Sequence, residues 1–427
     1  MSALASPWTE GRTGLPRLLL GLDASGAPMG ADEHLRVHGP LPSLAPGALV
    51  EAIDHSGLRG RGGADFPTAH KLRATAAGRG PAVVIVNGSE TEPASHKDHL
   101  LLSRLPHLVL DGAELAAGAV GARQVIVKVG AHREADARAM RGAAAMRSSK
   151  RVSFEVAAGG EGYVSGEETA VVSFLGGGAG LPTFVPPRPA QRGLRGRRTL
   201  IQNPETLAQM ALVARHGPGW YRQLGTDADP GSALVSISGA VSGPGVYELA
   251  FGTSLSDLLA AAGGTTEPLQ ALLVGGYFGT WVPAEQALRL RLAREDLRYL
   301  GGALGSGVLF ALGQSACGMH ESARILDYLA SQSAGQCGPC VHGLPALAAG
   351  FSALAEDAGV RGERERVLRW SSEIRGRGAC HHPDGVARFL DSALRLFGEQ
   401  PGHSRARCPG RPAGLPVPRA ASTPRWG

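Results

Sequence analysis

The sequence predicts an α/β protein with a parallel sheet, followed by a small α+β module and a helical domain. Two apolar runs typical of strands, Ala82 to Val86 and Val125 to Val129, flank a helical stretch from His107 to Ala117, as in a βαβ unit. Alternating apolar residues from Ala233 to Ser238 indicate a strand of the second, smaller unit. From about Cys317 to Leu396 the apolar residues recur at helical spacing.

The length and composition are those of a multidomain protein without a membrane span. The chain has 427 residues, of which 43% are hydrophobic, and this length suggests two or three domains. No uncharged apolar run approaches the roughly 18 residues of a transmembrane helix, and Met1 to Glu10 lacks the basic and apolar regions of a signal peptide. We therefore expect a cytoplasmic protein without a transmembrane segment.

The formal net charge of +6 is concentrated at the C-terminus. Residues 401 to 427 contain five arginines and no acidic residue, so the rest of the chain carries a formal charge of only +1. Nucleic-acid binding is therefore not expected. Because the end of the chain is rich in Pro, Gly and Ser and has little apolar surface to bury, we expect residues 399 to 427 to be disordered. We also expect the lead segment, residues 1 to 45, to be irregular.

A glycine- and arginine-rich loop at residues 57 to 68 is the strongest local signal. Gly60, Gly62 and Gly63 allow positive φ and leave room for a planar or phosphorylated ligand to approach the backbone. Three nearby basic side chains can offset phosphate charge: Arg59, Arg61 and Lys71. This pattern indicates a mononucleotide site. A basic loop without a ligand is the alternative, because the chain has 62 glycines.

Three further segments place polar side chains next to predicted strands or helices. The acidic segment from Asn87 to Glu92 follows the first strand, where ligands bind in open α/β sheets, although an ordinary solvated loop has the same composition. Gly159 to Ala170 joins glycines and an aromatic residue to a carboxylate pair that suits a helix N-terminus. Asn203 and Pro204 are typical of a helix cap and first turn.

Three of the five cysteines form a candidate metal site. Cys337 and Cys340 have the spacing that lets two sulfurs reach one centre, and Cys380 supplies a third thiolate. An iron–sulfur cluster, a zinc site completed by a histidine, a redox pair and simple buried thiols all fit this pattern. Cys317 is a poor fourth ligand, because a continuous helix over residues 319 to 333 would separate it from the others by more than roughly 20 Å.

With these segments in this order, the chain resembles the NADH-binding flavoprotein subunit of respiratory complex I and its relatives in hydrogenases and formate dehydrogenases. The resemblance covers about residues 50 to 395 and rests on the glycine loop, Asn87 to Pro93, Gly162 to Thr169 and Ser333 to Cys340. It implies a Rossmann-like flavin domain, a ubiquitin-like β-grasp (SLBB) module and a C-terminal helical bundle. It further implies FMN, a 4Fe-4S cluster and NADH as substrate.

The resemblance assigns roles to individual residues. The implied FMN contacts are Gly60, Arg61, Gly62, Gly63, Lys71, Asn87, Glu90, Tyr163, Gly166, Glu167, Glu168, Asn203 and Thr206. The nicotinamide is implied to meet Phe66 and the two catalytic carboxylates, Glu92 and Glu168. The chemistry belongs to the cofactor, so the protein needs only to align the rings and exclude water. Cys337, Cys340 and Cys380 are the implied cluster ligands.

The chain departs from the family at several positions. Ala334 replaces a cluster cysteine, so the cluster is incomplete, labile or absent unless a histidine such as His381 or His382, water or another partner completes it. Asp65 replaces a glycine beside the nicotinamide, and Ser89 replaces an aspartate near the flavin. Val185 and Arg188 stand where the family has a lysine and an aromatic residue.

These observations predict five segments and one leading function. The segments are an irregular lead at 1 to 45, a flavin and nicotinamide domain at 46 to 228, the SLBB module at 229 to 303, an iron–sulfur domain at 304 to 398 and a basic tail at 399 to 427. We expect a flavin-dependent oxidoreductase that passes electrons from NADH through FMN to an iron–sulfur cluster. Its expected partner is a carrier such as a ferredoxin, a thioredoxin-like 2Fe-2S subunit or a membrane redox protein, and its expected location is the cytoplasm or the inner face of the membrane. The alternatives are an FMN protein with another electron donor, such as ferredoxin, and a scaffold that has lost NADH oxidation.

Overall fold

A parallel sheet of four strands forms the centre of the first domain. The computed structural model describes residues 14–147, 151–356, 361–398 and 413–418. The strands are β1 (Ala82–Gly88), β2 (Ala122–Val129), β3 (Ser153–Ala158) and β4 (Arg198–Gln202). Their order across the sheet is β3-β2-β1-β4, and every pairing is parallel. β1 is a run of Val and Ile that is buried on both faces, as expected for a strand covered by helices on both sides.

Eight helices surround this sheet in the described part of the chain. They are α1 (Ala31–His38), α2 (Pro46–Ser56), α3 (Thr68–Ala76), α4 (Lys97–Arg104), α5 (Pro106–Val120), α6 (Glu134–Ala145), α7 (Glu168–Leu175) and α8 (Pro204–Tyr221). α5 and α8 pack so closely that a Cβ on Gly112 would lie 1.9 Å from the backbone oxygen of Leu207. This contact requires a glycine and fixes the position of α8, whose first turn contributes to the site.

The prediction that residues 1 to 45 are irregular is wrong for the described part of that segment. It contains α1, and Leu18 is fully buried in the core of the first domain. The buried carboxylate of Glu248 accepts hydrogen bonds from the backbone N–H groups of Arg17, Leu18 and Leu19, at 2.8 to 3.1 Å. Glu248 belongs to the second module, so this contact joins segments that are more than 200 residues apart.

Asp111, on α5, holds α1 and α8 together through a buried charge cluster. Its carboxylate is 2.7 Å from His34 Nε2 and pairs with the guanidinium groups of Arg147 and Arg215. Burial raises the pKa of Asp111, but the His34 hydrogen bond and the two arginines outweigh burial and lower this pKa well below its usual range.

The second module is a mixed five-stranded sheet with short helices. Its elements are β5 (Ser232–Gly239), β6 (Gly245–Ala250), α9 (Leu255–Ala261), β7 (Leu269–Val274), β8 (Thr280–Pro283), α10 (Ala284–Ala287), α11 (Arg294–Tyr299) and β9 (Val308–Gly313). The strand order is β6-β5-β9-β7-β8, and only the β5–β9 pairing is parallel. Ser254 caps α9 by accepting from the Asp257 N–H. The predicted module end at residue 303 falls before β9, the central strand, so the folded module extends to Gly313.

The described C-terminal residues form a bundle of four helices. They are α12 (Gly318–Ser331), α13 (Leu344–Ala355), α14 (Glu363–Ile374) and α15 (His382–Phe397). Among the described residues, no helix is long and apolar enough to cross a membrane. The predicted disorder of residues 399 to 427 is wrong for Ala413–Pro418, because the Ala413 N–H donates to Glu321 Oε1 at 3.0 Å and Leu415 is buried. The rest of that segment lies outside the described residues.

Candidate functional site

The candidate site lies where the strand order of the parallel sheet reverses. β1 is flanked by β2 on one side and by β4 on the other, so the chain leaves these neighbouring strands toward opposite faces of the sheet. Such a switch point leaves a crevice beyond the carboxyl ends of the strands. The segment from Asn87 to Glu92 follows β1 directly, and Asn203 follows β4. Asn203 caps α8 as predicted, with its Oδ1 accepting from the Glu205 N–H at 2.9 Å.

The glycine loop is fastened to the same edge of the sheet. The backbone N–H of Arg61 donates to Thr206 Oγ1 at 2.9 Å, and a Cβ on Gly62 would lie 3.4 Å from the Cβ of Asn203. Gly63 has a φ of 99°, which favours glycine. The Arg61 guanidinium is buried and donates to Tyr221 Oη and the Ser232 carbonyl. The loop therefore presents mainly backbone to the crevice, while the side chain of Arg61 joins it to the second module.

A cleft separates this loop from the second module. Gly60, Arg61, Gly63 and Asp65 line one wall, and Arg294 lies on the other. The cleft adjoins the switch point through the glycine loop. It gives a ligand bound along the loop a concave surface with both apolar and charged groups.

The loops that follow β1 and β3 meet at Gly166. Its carbonyl accepts from Asn87 Nδ2 at 2.8 Å, and a Cβ at this position would lie 3.2 Å from Thr91 Oγ1. Glu167 caps α7 by accepting from the N–H groups of Thr169 and Ala170. The Glu167 carboxylate thus already places a negative charge at the N-terminus of α7, where the helix dipole favours it.

Lys71 and Glu168 join the glycine loop to this helix terminus. Lys71 lies on α3, directly after the loop, and its Nζ pairs with Glu168 Oε1 at the start of α7. The same Nζ lies 3.4 Å from the carbonyl of Ile201 near the end of β4. Both side chains of the pair are partly exposed, at 28% and 42%. A ligand in the crevice can therefore reach both charges.

Two acidic residues of the β1 loop are held by internal hydrogen bonds. Glu90 accepts from the N–H groups of Asp98 and His99 at 3.0 Å, at the start of α4. Glu92 is only 6% exposed, and its Oε2 accepts from Tyr163 Oη at 2.9 Å and from the Tyr277 N–H at 2.8 Å. Burial raises the pKa of Glu92 to about 7, although these hydrogen bonds act in the opposite direction. Glu92 thus contacts the site mainly through Tyr163.

The three candidate ligand cysteines come together at the end of the helical bundle. Cys340 lies in a turn of π-helix, Pro339–Gly343, and Cys380 lies just before α15. Burial would raise the pKa of Cys337, but N–H groups of Ala379 and Cys340 that donate to its sulfur lower this pKa instead. Burial and the neighbouring Cys337 thiol raise the pKa of Cys340 to about 12, with a further contribution from Cys380. The three sulfurs are therefore close enough to influence one another.

The fourth corner of this site lacks a thiol. Ala334 is buried where the family has a cysteine, and α12 is continuous, so Cys317 at its far end is separated by about 20 Å of helix. His381 is fully exposed, whereas His382 is buried, with Nε2 2.8 Å from the Leu329 carbonyl and Nδ1 without a hydrogen-bond partner in the described chain. No group of three or more His, Cys, Asp or Glu side chains among the described residues could hold a single metal ion. The donor set of three thiols fits an incomplete cluster better than a mononuclear site.

Tyr163 connects the two parts of the site. Its ring lies 5.9 Å from the His382 ring, centre to centre, and its N–H donates to Gln332 Oε1 at 3.2 Å. His382 is two residues from Cys380, and Gln332 is two residues from Ala334. The β3 loop thus contacts the start of α15, next to Cys380, and the end of α12, five residues before Cys337.

The positions that depart from the family lie at the rim of the crevice or beneath it. Asp65 has a φ of 47°, which favours glycine, and its carboxylate pairs with Arg59 at 2.8 Å and with Arg294 at 3.5 Å. Two arginines therefore offset the charge that would repel a dinucleotide. Phe66 is 43% exposed and Val185 is 37% exposed. Arg188 is also exposed.

Sequence reasoning missed Lys128 beneath the crevice. This residue is at the carboxyl end of β2, beside Asn87 in the register of the sheet, and it is completely buried. Its Nζ lies 2.5 Å from Ser89 Oγ. The only available signal was a lysine inside an apolar run of strand residues, a position where charged side chains are rarely fully buried.

Comparisons with known proteins agree with this arrangement. Residues 53–212 match a family described as the Nuo51 FMN-binding domain, residues 234–276 an SLBB domain, and residues 320–402 the NADH-ubiquinone oxidoreductase-F iron–sulfur binding region. The second F subunit of NADH-quinone oxidoreductase in Rhizobium meliloti is 32% identical over 84% of this chain and 88% of that protein. The chain belongs to the family of F subunits of NADH-quinone oxidoreductases.

Two further relatives support the family assignment. The F subunit of the Escherichia coli NADH-quinone oxidoreductase is 32% identical over 84% of this chain and 85% of that protein. A crystal structure of an NAD+-reducing NiFe hydrogenase in the H2-reduced state superimposes with a TM-score of 0.77 and 31% identity. This match covers 83% of the present chain and 62% of the hydrogenase chain. The predicted fold class, an α/β flavin domain with an SLBB module and a helical iron–sulfur region, is confirmed.

Proposed function

We propose that this chain is a flavin-dependent NADH oxidoreductase that passes electrons through FMN to a cysteine-bound iron–sulfur cluster and then to a separate electron carrier. The observation that carries the proposal is the contact of Tyr163, in the β3 loop, with the His382 ring, two residues after Cys380, and with Gln332, five residues before Cys337. The matches to an FMN-binding domain and an iron–sulfur binding region, in this order along one chain, support it. When bound, FMN would accept a hydride and release electrons singly.

The fit of FMN to the switch point is supported by the chemistry of the crevice. The glycine loop offers backbone to a flat ring, and Lys71 supplies a partly exposed cation near the start of α8, a helix N-terminus that favours a phosphate. In this proposal Asn203 and Thr206 hold the phosphate end at the start of α8. Asn87 and Gly166, already hydrogen-bonded to each other, support the ring end.

We assign Glu168 and Glu92 different tasks in aligning the nicotinamide. Glu168 is 42% exposed at the crevice, so it can contact a substrate directly. Glu92 is buried and receives the Tyr163 hydroxyl hydrogen bond, so it would act by fixing that ring. Phe66 supplies an exposed aromatic surface at the rim.

The cluster ligands in this proposal are Cys337, Cys340 and Cys380. The thiols of Cys337 and Cys340 are hydrogen-bonded to each other. Cys380 raises the pKa of Cys340, and Cys337 raises the pKa of Cys380. Of the two histidines near the vacant corner, His382 has the buried ring nitrogen without a hydrogen bond. Its Nδ1 is therefore the better protein candidate for a fourth ligand than the exposed His381.

The partner in this proposal is an electron-carrier protein such as a ferredoxin or a thioredoxin-like 2Fe-2S subunit. The relatives are, by name, subunits of NADH-quinone oxidoreductases, and this supports a protein acceptor. The cysteine segment is partly exposed at Cys337 and Cys380, so a partner can approach the cluster. We place the chain in the cytoplasm, at the inner face of the membrane if its acceptor is a membrane redox protein.

A second function, an FMN protein reduced by another donor such as ferredoxin, is favoured by one observation. Val185 and Arg188 are exposed and replace the lysine and aromatic residue that the family has near the dinucleotide. A dinucleotide would therefore lose two contacts in this chain, whereas the flavin crevice is intact.

An anaerobic purification followed by a visible spectrum and flavin and iron counts tests the proposal. We expect about one FMN and three to four irons per chain. Purified protein that contains neither flavin nor iron after reconstitution would refute it. Rapid mixing with NADH, NADPH and reduced ferredoxin in parallel separates the two functions, because only the true donor bleaches the flavin within the turnover time.

A further inference from the structure

Lys128 is a buried cation that has no anionic partner among the described residues. Its side chain is completely buried, and its Nζ lies 2.5 Å from Ser89 Oγ and 3.5 Å from the Ser165 carbonyl. The ring of Phe174 is 5.8 Å away. All three neighbours are neutral. Because buried charges in proteins are normally paired with an opposite charge, Lys128 is unusual.

Lys97, another buried lysine of this domain, shows the ordinary arrangement. Its Nζ lies 2.8 Å from Asp98 Oδ1 and 3.0 Å from Glu205 Oε2. Burial lowers the pKa of Lys97, but the two carboxylates outweigh this effect and raise it. Burial lowers the pKa of Lys128 to about 8, and no carboxylate opposes the shift. At neutral pH Lys128 still carries its charge most of the time.

The position of Lys128 relates this charge to the crevice. Ser89 lies between Asn87 and Glu90 in the β1 loop, and Ser165 lies beside Gly166 in the β3 loop. Its ammonium group therefore sits between the two loops proposed to support the flavin ring. A Cβ on Gly160 would lie only 3.1 Å from this Nζ, so the β3 loop is closed tightly over it.

Among the described residues, no acid lies close enough to neutralise Lys128. The residue closest to the ammonium group is Ser89, whose hydroxyl is neutral. The pocket beneath the crevice is therefore more positive than it would be with an aspartate at position 89. A ligand that becomes negatively charged when bound in the crevice would supply the missing counter-charge.

We propose that Lys128 is the counter-charge for reduced FMN and raises the reduction potential of the bound flavin. This inference rests on the proposed function. Transfer of a hydride from NADH adds two electrons and one proton to the neutral flavin ring, which gains one negative charge, and leaves NAD+. A buried cation next to the ring stabilises this anion more than the neutral oxidised ring, because the low-dielectric pocket screens the attraction weakly. Lys128 acts here as a positioning and tuning residue.

Two substitutions and one matched control test the inference. Lys128→Met removes the charge with little loss of volume, and Ser89→Asp supplies an internal anion without changing the lysine. Arg123→Met removes one charge from an exposed position on the same strand, roughly 17 Å away along β2. Oxidised FMN affinity is measured by flavin fluorescence quenching. The midpoint potential is measured by equilibration with a reference dye.

We expect both site variants to bind oxidised FMN and to favour the reduced form at least tenfold less than the wild type. For a two-electron couple this corresponds to a potential about 30 mV lower. Arg123→Met should leave the potential unchanged, and Lys128→Arg should restore it at least in part. If the variants bind FMN with the wild-type potential, the inference is wrong while the proposed function stands. If the wild-type chain binds no FMN, both fail. If Lys128→Met does not fold, an unchanged midpoint potential in Ser89→Asp is sufficient to contradict the inference.

Discussion

Replacement of Lys71 by methionine separates a role in ligand binding from a role in folding. Lys71 is the cation that links the glycine loop to the start of α7, through its ion pair with Glu168. Its Nζ also lies 3.4 Å from the Ile201 carbonyl at the end of β4. The substitution keeps the length of the side chain and removes only the charge and its hydrogen bonds.

The two roles predict effects of different size. Both partners of the ion pair are partly exposed, so its loss should lower the free energy of unfolding by no more than about 1 kcal/mol. A charge-assisted hydrogen bond to a ligand phosphate contributes about 1.5 to 3 kcal/mol. Its loss corresponds to roughly ten- to hundredfold weaker binding. FMN affinity should therefore fall far more than stability.

Arg73→Met is the matched control for this experiment. Arg73 lies on the same helix and pairs with Asp54 at 2.7 Å, with both side chains 44% to 46% exposed. Urea unfolding should show a similar small loss of stability for both variants. Titration of apoprotein with FMN, followed by fluorescence quenching, should show weaker binding only for Lys71→Met. Equal FMN dissociation constants for the wild type and both variants would refute the placement of the flavin beside Lys71.

Three further predictions concern the cluster and the support of the site. Ala334→Cys should increase bound iron toward four per chain and slow its loss in air, as measured by iron counts over time; no gain would argue against a cluster there. Asp111→Asn should cost about 3 to 5 kcal/mol of unfolding free energy at neutral pH, because it leaves the buried Arg215 guanidinium without a carboxylate partner and leaves Arg147 paired only with Glu114. Since the folded pKa of Asp111 is lowered, this loss should be complete above about pH 4 and shrink below it; urea unfolding at several pH values measures it. Gly112→Ala should destabilise by about 1 to 3 kcal/mol, since its Cβ would overlap the Leu207 carbonyl; a neutral result would contradict the close packing of α5 and α8.

The parts of the fold that could be predicted from the sequence are those with strong local signals. β1 and β2 are apolar runs, and the cap at Asn203 is encoded by a short local pattern. β3 and β4 were not predicted as strands. β4 is only five residues long, and its place beside β1 is decided by pairing across more than 100 residues of chain.

The errors at the two ends of the chain have the same physical origin. The lead segment is ordered because Glu248, in a distant module, accepts three of its N–H groups. Ala413–Pro418 is ordered because it packs on α12. Neither contact leaves a local pattern in the sequence of the segment that it orders.

For the candidate site, the sequence indicated the residue types but not their surroundings. The pattern suggested that Arg61 faces a phosphate, whereas its guanidinium is buried against Tyr221 and Ser232. It suggested that Glu92 meets the nicotinamide, whereas its carboxylate is enclosed by Tyr163 and Tyr277. These surroundings leave no sequence signal, because burial of a charged side chain depends on tertiary packing. The individual roles of the site residues stay predictions.

Rapid anaerobic mixing of the purified protein with NADH tests the central claim most directly. Flavin absorbance is followed with time, and samples frozen at the same times are examined by electron paramagnetic resonance. If the flavin crevice and the three cysteines form one electron-transfer unit, the flavin absorbance should fall first and an iron–sulfur signal should follow within the same turnover. Loss of the flavin absorbance with no iron–sulfur signal at any time, in protein that contains iron, would contradict the account.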